Sequence, residues 1–285
     1  MKKLVIGYIY NGKELGADEI LFKNIAKKKN IEPVLISTTE WSDEKILKEK
    51  IKSCDILYNS SAEDFAIETE KTIEEFGKKI IDPSSTYYYS EDKWIFFLKC
   101  LAHKIATPQS ILLSENISLS KKSLKEFNHW PVILKRVSGT MGQFVEKADN
   151  LEEAGKIMKK LWEKGSEKLP IIAQEYIPSP SYRVTIFGDK IVQTAIKNNN
   201  GWKSTGVYAK KIKRFPVDEE LKKIINKITK FVKINVCGID FLKKDDKWIA
   251  LEVNSTPAFD FFECERRKMV NELVDLLVKL ARKKN

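Results

Sequence analysis

Histidine and cysteine are scarce in this 285-residue chain: two histidines, and four cysteines at positions 54, 100, 237 and 264. No Cys-x-x-Cys pair occurs, and with only two histidines a zinc site is not expected. Isolated cysteines in apolar runs point instead to a reducing cytoplasm. The N-terminus has no apolar stretch of signal-peptide type, and nothing approaches the ~20 apolar residues of a membrane helix. The early strands carry no Gly-x-Gly-x-x-Gly, and no Gly-Lys-Ser/Thr opens a helix, which removes the dinucleotide fingerprint and the Walker loop. A compact basic block is missing too. The net charge of +11 comes from lysines spread along the chain, which argues against a nucleic-acid footprint. It leaves a long-range pull on anionic substrates.

What is present is enough apolar residue, 42%, for a sizeable core and two or three domains. Residues 1–85 alternate strand and helix. Strands are predicted at Lys3 to Ile9, Pro33 to Ser37, Asp55 to Tyr58 and Lys79 to Ile81. Helices are predicted at Asp18 to Lys28, at Lys45 to Lys52 with Ser42 as its cap, and around Ala66 to Phe76. A βαβ series of this kind predicts an open parallel sheet.

A lysine-bearing helix, Glu91 to His103, and a strand at Ser110 to Leu113 follow. Trp130 to Lys135 reads as a strand whose last residue shares a face with Ile133. A lysine ending a buried strand needs an anion, so Lys135 is a candidate ligand contact. The loop Ser138-Gly-Thr-Met-Gly142 comes next, and small residues there let backbone N–H groups fold toward phosphate oxygens. After a helix from about Asn150 to Glu163, Ile171 to Ile177 is an apolar strand stopped by Pro178 and Pro180. Its last backbone groups are left to read an adenine edge.

Two hairpins carry the charged side chains. Ser181 to Lys197 turns at Gly188-Asp189. Arg183 and Lys197 share a face there only with a three-residue turn or a bulge. In Cys237 to Asn254, Glu252 and Asn254 point the same way, and a three-residue turn at Asp245 to Lys247 would set Asp240 opposite Glu252. Opposed carboxylates repel unless a counter-charge is present. Two carboxylates and an amide oxygen suit Mg²⁺ beside substrate phosphates, with a solvated hairpin edge as the plain alternative. Glu263 to Arg282 is an amphipathic packing helix.

This succession resembles the ATP-grasp superfamily, in the branch of ribosomal-protein glutamate ligase and its glutathione-synthetase-like relatives. The stretch from Ser181 to Lys197 carries the strongest likeness. The resemblance implies an α/β and α+β ATP-grasp fold. An N-terminal parallel-sheet domain would occupy 1–85, a central lysine and glycine-loop region with the small lobe 86–175, and the metal-bearing lobe 176–285. It also implies a site residue by residue. Lys93, after Asp92, and Lys135 would contact ATP phosphate. Ser138, Gly139, Thr140 and Gly142 would cover the β- and γ-phosphates. Gln174, Glu175, Tyr176 and Ile177 would hold adenine. Arg183 and Lys197 would act at the reaction centre, and Asp240, Glu252 and Asn254 would bind Mg²⁺, with Mn²⁺ as an alternative. Ser181 and Lys197 depart from the family's Asp and Arg.

The implied activity is carboxylate–amine ligation through an acyl phosphate, adding glutamate or a similar amino acid to an anionic acceptor in the cytoplasm. A small-molecule kinase and a nucleotide-binding regulatory protein are the alternatives. Lys203, Lys210 and Lys211 are the candidates for an acceptor pocket.

Overall fold

The structure, a computed structural model, describes residues 3–41, 43–139, 142–164, 167–198, 201–203 and 211–283. Thr140, Lys210 and Ser42 lie outside the described residues.

The chain opens with β1 (Val5–Tyr10), α1 (Ala17–Lys28), β2 (Glu32–Ser37), α2 (Glu44–Ile51), β3 (Ile56–Asn59), α3 (Asp64–Glu75) and β4 (Ile80–Ile81). The four strands form a parallel sheet in the order β2-β1-β3-β4, as expected from the alternation. All six residues of β1 are buried, because both faces of a parallel sheet are covered. The cap of α2 is Asp43, whose carboxylate accepts from the Lys45 and Ile46 N–H groups at 2.9 and 3.0 Å.

A short 3₁₀ turn (Ser84–Thr86) and α4 (Tyr87–Ser90) lead into α5 (Lys93–Ala102). Then come β5 (Ser110–Leu112), α6 (Ile117–Phe127), β6 (Val132–Arg136), β7 (Val145–Ala148), α7 (Leu151–Trp162), the two-residue strands β8 (Glu163–Lys164) and β9 (Glu167–Lys168), and β10 (Ile171–Glu175). Strands β5-β10-β6-β7 make an antiparallel sheet. The last part contains β11 (Ser181–Phe187), β12 (Lys190–Asn198), β13 (Lys211–Lys213), α8 (Glu219–Val232), β14 (Val236–Lys244), β15 (Lys247–Asn254) and α9 (Glu263–Arg282). Its strands form a five-stranded antiparallel sheet, β13-β12-β11-β14-β15.

Packing decides which face of that last sheet is free. Leu221, Ile225, Ile228 and Val232 make the apolar stripe of α8, at the i, i+4, i+7, i+11 spacing of one helix face. They bury Val184, Ile186, Ile239 and Phe241 of β11 and β14. Alternation along a strand then sends Arg183 and Asp240 to the opposite face. Helix α9 returns to the first sheet, where Met269, Leu273 and Leu277 join Ile6, Tyr8 and Phe22 in one core. Buried Asp82 ties the same regions together, accepting from Asn235 N, Asn235 Nδ2 and Val236 N at 2.6 to 2.7 Å.

Both site hairpins have tight turns and a bulge. β11 pairs with β12 across Gly188-Asp189, and Thr185 faces Gln193 while Ile186 faces Ile191, so Val192 is the extra residue. The expected alternative of a bulge is thus the one realised. In the second hairpin Lys244 faces Lys247, so the turn is Asp245-Asp246 rather than three residues. Both turn residues have positive φ, 50° and 59°, the pattern of a type I′ turn that matches strand twist. The shift comes from a bulge at Leu251, and Asp240 does lie opposite Glu252.

Candidate active site

A cleft lies between the two antiparallel sheets. From β6, β7 and β10 it receives Ile133, Lys135, Val145, Gln174 and Glu175; from β14 and β15 it receives Leu242, Leu251 and Glu252. Lys93, Gly139, Gly142, Tyr176 and Ile177 complete most of the rest of its lining. The aliphatic side chains form two walls suited to a flat base, and the lysines gather at one end.

Lys93 is held there by its helix. Asp92 caps α5 by accepting from Trp94 N and Ile95 N at 2.9 Å. Lys93 Nζ donates to the Gly139 carbonyl at 2.6 Å and lies 4.0 Å from Glu252 Oε2. Gly139 and Gly142 have φ of 131° and 70°, backbone that an L side chain rarely adopts, so the loop needs glycine at both positions. Ser138 is exposed where the loop begins.

Lys135 is buried at 4% exposure, and among the described residues no ion pair includes it. Burial pushes its ammonium down to about 8; Glu252 opposes the shift and Lys93 adds to it. A group lowered from its ordinary 10.5 destabilises the empty protein below pH 8 and ceases to as pH rises from 8 toward 10.5. A polyanion in the cleft favours the charged form. ATP binding at pH 8.5 should therefore take up a proton, and its Kd should weaken toward tenfold per pH unit above about 8. Calorimetry in two buffers of different ionisation enthalpy measures the uptake, and Lys135→Met should abolish it.

Gln174 and Glu175, expected on the adenine side, use their side chains within the protein. Gln174 Nε2 donates to Ser110 Oγ at 2.8 Å. Glu175 accepts from Gln109 N at 3.0 Å and from Lys244 Nζ at 2.7 Å. Lys147 Nζ lies 6.0 Å from the Tyr176 ring centre.

Beyond Glu252 the charged row continues across the sheet. Arg183 stands opposite Asp240, and Asp240 opposite Glu252. Arg183 Nε and Nη2 grip the two Asp240 oxygens at 2.8 and 2.6 Å, and Lys197 Nζ donates to Oδ1 at 3.0 Å. Burial alone would raise Asp240, but Arg183 and Lys197 outweigh it and hold the carboxyl well below its usual range. Lys197 is itself lowered, by burial first, with Asp240 opposing. The counter-charge expected from a cation is thus supplied by the protein's own basic pair.

The three residues expected to bind metal, Asp240, Glu252 and Asn254, have a donor set suited to a hard ion. Asp240 Oδ2 accepts a single short bond and keeps a lone pair. Asn254 Nδ2 donates to the Gly238 carbonyl at 3.3 Å, which leaves its amide oxygen as the outward acceptor. Among the described residues no cluster of three His, Cys, Asp or Glu side chains offers another metal site.

Gly238, opposite Asn254, sits beneath Arg183, and a Cβ there would collide with Arg183 Nη1. Gly238→Ala should push the guanidinium off Asp240 and lower kcat by about a hundredfold with little change in ATP KM, measured by ADP release. An unchanged kcat would separate this contact from the chemistry.

Several cleft residues escaped the sequence reading. Val145, Leu242 and Leu251 have no motif, and Leu251 enters only through the bulge. Trp202 and Lys203 also line this cleft. Lys211 is exposed at the start of β13.

Comparison with known proteins bears on this geometry. A family model, the RimK-like ATP-grasp domain, matches residues 90–277, well over half of the chain. The chain belongs to the RimK-like ATP-grasp family. The α-aminoadipate–LysW ligase LysX of Saccharolobus solfataricus is 29% identical over 201 residues, covering 68% of this chain and 72% of that protein. A probable α-L-glutamate ligase of Histophilus somni is 26% identical over 179 residues, covering 61% of this chain and 58% of its own length. The ATP complex of D-alanine–D-alanine ligase from Bacillus anthracis superposes with a TM-score of 0.75 at 17% identity, covering 99% of this chain and 97% of that one. Membership of the RimK-like branch places the chain among ATP-dependent ligases that form amide bonds. No helix among the described residues is long and apolar enough to cross a membrane, and Cys54, Cys100, Cys237 and Cys264 are free thiols.

Proposed function

We propose that this RimK-like ligase joins a dicarboxylic amino acid, glutamate or a close analogue, to an anionic carboxylate acceptor. The observation that carries the reading is the row Arg183, Asp240, Glu252, running from the buried basic pair to a cleft that ends in Lys93 and Lys135. ATP fits that cleft with adenine between Ile133, Val145, Leu242 and Leu251 and phosphates toward the lysines. Asp240, Glu252 and Asn254 would hold Mg²⁺ or Mn²⁺, and when bound the ion neutralises phosphate charge.

The chain's own residues then have defined work. A carboxylate oxygen of the acceptor attacks the γ-phosphorus, and ADP leaves with the bridging oxygen. The amine attacks the acyl carbon, phosphate departs, and the amine gives up a proton. Arg183 and Lys197 orient the charged groups, Lys93 and Lys135 balance the phosphates, and the loop at Ser138 to Gly142, Thr140 included, excludes water from the acyl phosphate.

ADP release should depend on both an amino acid and an acidic acceptor, and hydroxylamine should trap the activated acceptor as a hydroxamate. ADP release with a stable phosphorylated product and no hydroxamate would make the protein a kinase. Nucleotide binding without any turnover would make it a regulatory protein.

A further inference from the structure

We propose that Arg136 and Phe144 are positioning residues for the nucleotide phosphates, acting through Gly139 and Lys93. Arg136 is the last residue of β6, and Phe144 immediately precedes β7. The glycine loop runs between them. Arg136 N donates to the Phe144 carbonyl at 3.2 Å, so backbone closes the base of the loop. The side chains close it a second time: the Arg136 guanidinium carbon lies 3.7 Å from the Phe144 ring centre. The guanidinium is fixed from behind. Its Nε donates to the Leu161 carbonyl at 2.7 Å and its Nη2 to the Glu163 carbonyl at 3.0 Å. These carbonyls close the C-terminal end of α7, where the helix lacks partners and its dipole favours a cation. A planar fork held along one edge presents its face in one place.

Phe144 meets that face against its local preference. It is 42% exposed, and its φ of 56° is a conformation that a bulky L residue rarely adopts. Apolar exposure and left-handed backbone are both unfavourable, so neither burial nor propensity accounts for the residue. Its contacts do. Its ring takes the guanidinium and also reaches Gly139, where a Cβ would stand 3.4 Å from Phe144 Cδ2. Gly139 passes the position on. Its carbonyl accepts from Lys93 Nζ at 2.6 Å, while Lys93 N donates to the Val137 carbonyl at 2.9 Å. The end of α7 thus sets Arg136, Arg136 sets Phe144, Phe144 limits Gly139, and Gly139 holds the Lys93 ammonium at the charged end of the cleft. A surface stack without a role would have no reason to use a strained phenylalanine. This inference rests on the reading that ATP phosphates lie toward Lys93.

The test uses the whole protein and calorimetry with AMP-PNP and Mg²⁺, and with adenosine, which carries no phosphate. Arg136→Lys keeps the charge and loses the fork. Phe144→Leu keeps an apolar side chain and loses the ring face. Each should weaken AMP-PNP binding roughly tenfold and leave adenosine within about twofold. Phe144→Tyr keeps the ring and should bind AMP-PNP as the unaltered protein does. Lys93→Met is the reference. It should weaken AMP-PNP at least as much, and adding Arg136→Lys to it should bring no further loss, because Arg136 acts through Lys93. Equal losses of adenosine and AMP-PNP would mark a general loosening of the cleft and overturn the proposal. A further loss in the double variant would overturn it too. If Arg136→Lys fails to fold, Phe144→Leu, at an exposed side chain, gives the same reading. Loss from Lys93→Met without loss from Arg136→Lys removes the positioning role and leaves the nucleotide reading standing. No loss from Lys93→Met removes the phosphate end of that reading, and this inference with it.

Discussion

Glu252→Gln should lower Mg²⁺-dependent ATP turnover by about three orders of magnitude while the protein stays folded. Glutamine keeps the shape of the side chain and removes its charge. Glu252 is placed between the two halves of the site, opposite Asp240 on one side and 4.0 Å from Lys93 on the other. It is also the carboxylate that partly sustains the charge on buried Lys135. Its loss would remove one oxygen of the proposed metal set and leave Lys93 and Lys135 without an opposing charge. The side chain is 27% exposed, so little folding energy depends on it. A coupled ADP assay gives the rate and circular dichroism the fold. Full turnover in a folded variant would refute the metal assignment.

Asp240→Ala should have the largest effect on stability, about 3–5 kcal/mol. The carboxylate is 3% exposed and is gripped by Arg183 and Lys197, both buried. Removing it leaves two buried cations facing each other across a gap, and that uncompensated charge is the cost. The same logic predicts a rescue. Tripolyphosphate brings anionic oxygens to the place the carboxylate vacated, so it should raise the melting temperature of Asp240→Ala more than that of the unaltered protein. Equal shifts in both would mean that the basic pair does not face bound phosphate. Denaturant melts with and without the anion measure both quantities.

The alternation of the first sheet and the length of α9 were legible because burial imposes its period directly on the residues. Lys135 and the acid-bearing hairpin were legible for a related reason: a charge in an apolar strand needs a partner. Lys93, at the start of helix α5, entered only through the family resemblance. The partner itself was not legible. Arg183 and Asp240 belong to different hairpins, and only the pairing of β11 with β14 makes them neighbours. The turn at Asp245-Asp246 was misread by one residue, because Lys-Lys-Asp-Asp-Lys suits either turn length and the bulge that decides it is a tertiary event. The Ser42 cap was displaced by the adjacent Asp43, a choice between two good capping residues that local sequence leaves open.

The two bulges bear on how the gene for such a protein could change length. Each hairpin carries one residue more than its register uses. Deleting Val192 would let Ile191 and Gln193 continue a regular ladder against Ile186 and Thr185, and Lys197 would still oppose Ser181. Adding a residue there would need a second bulge or would send Lys197 to the far side of the sheet. Leu251 is different. Its loss would keep Asp240 opposite Glu252, yet it would take away a side chain that closes the cleft. One surplus residue is therefore slack, and the other has been recruited as a wall.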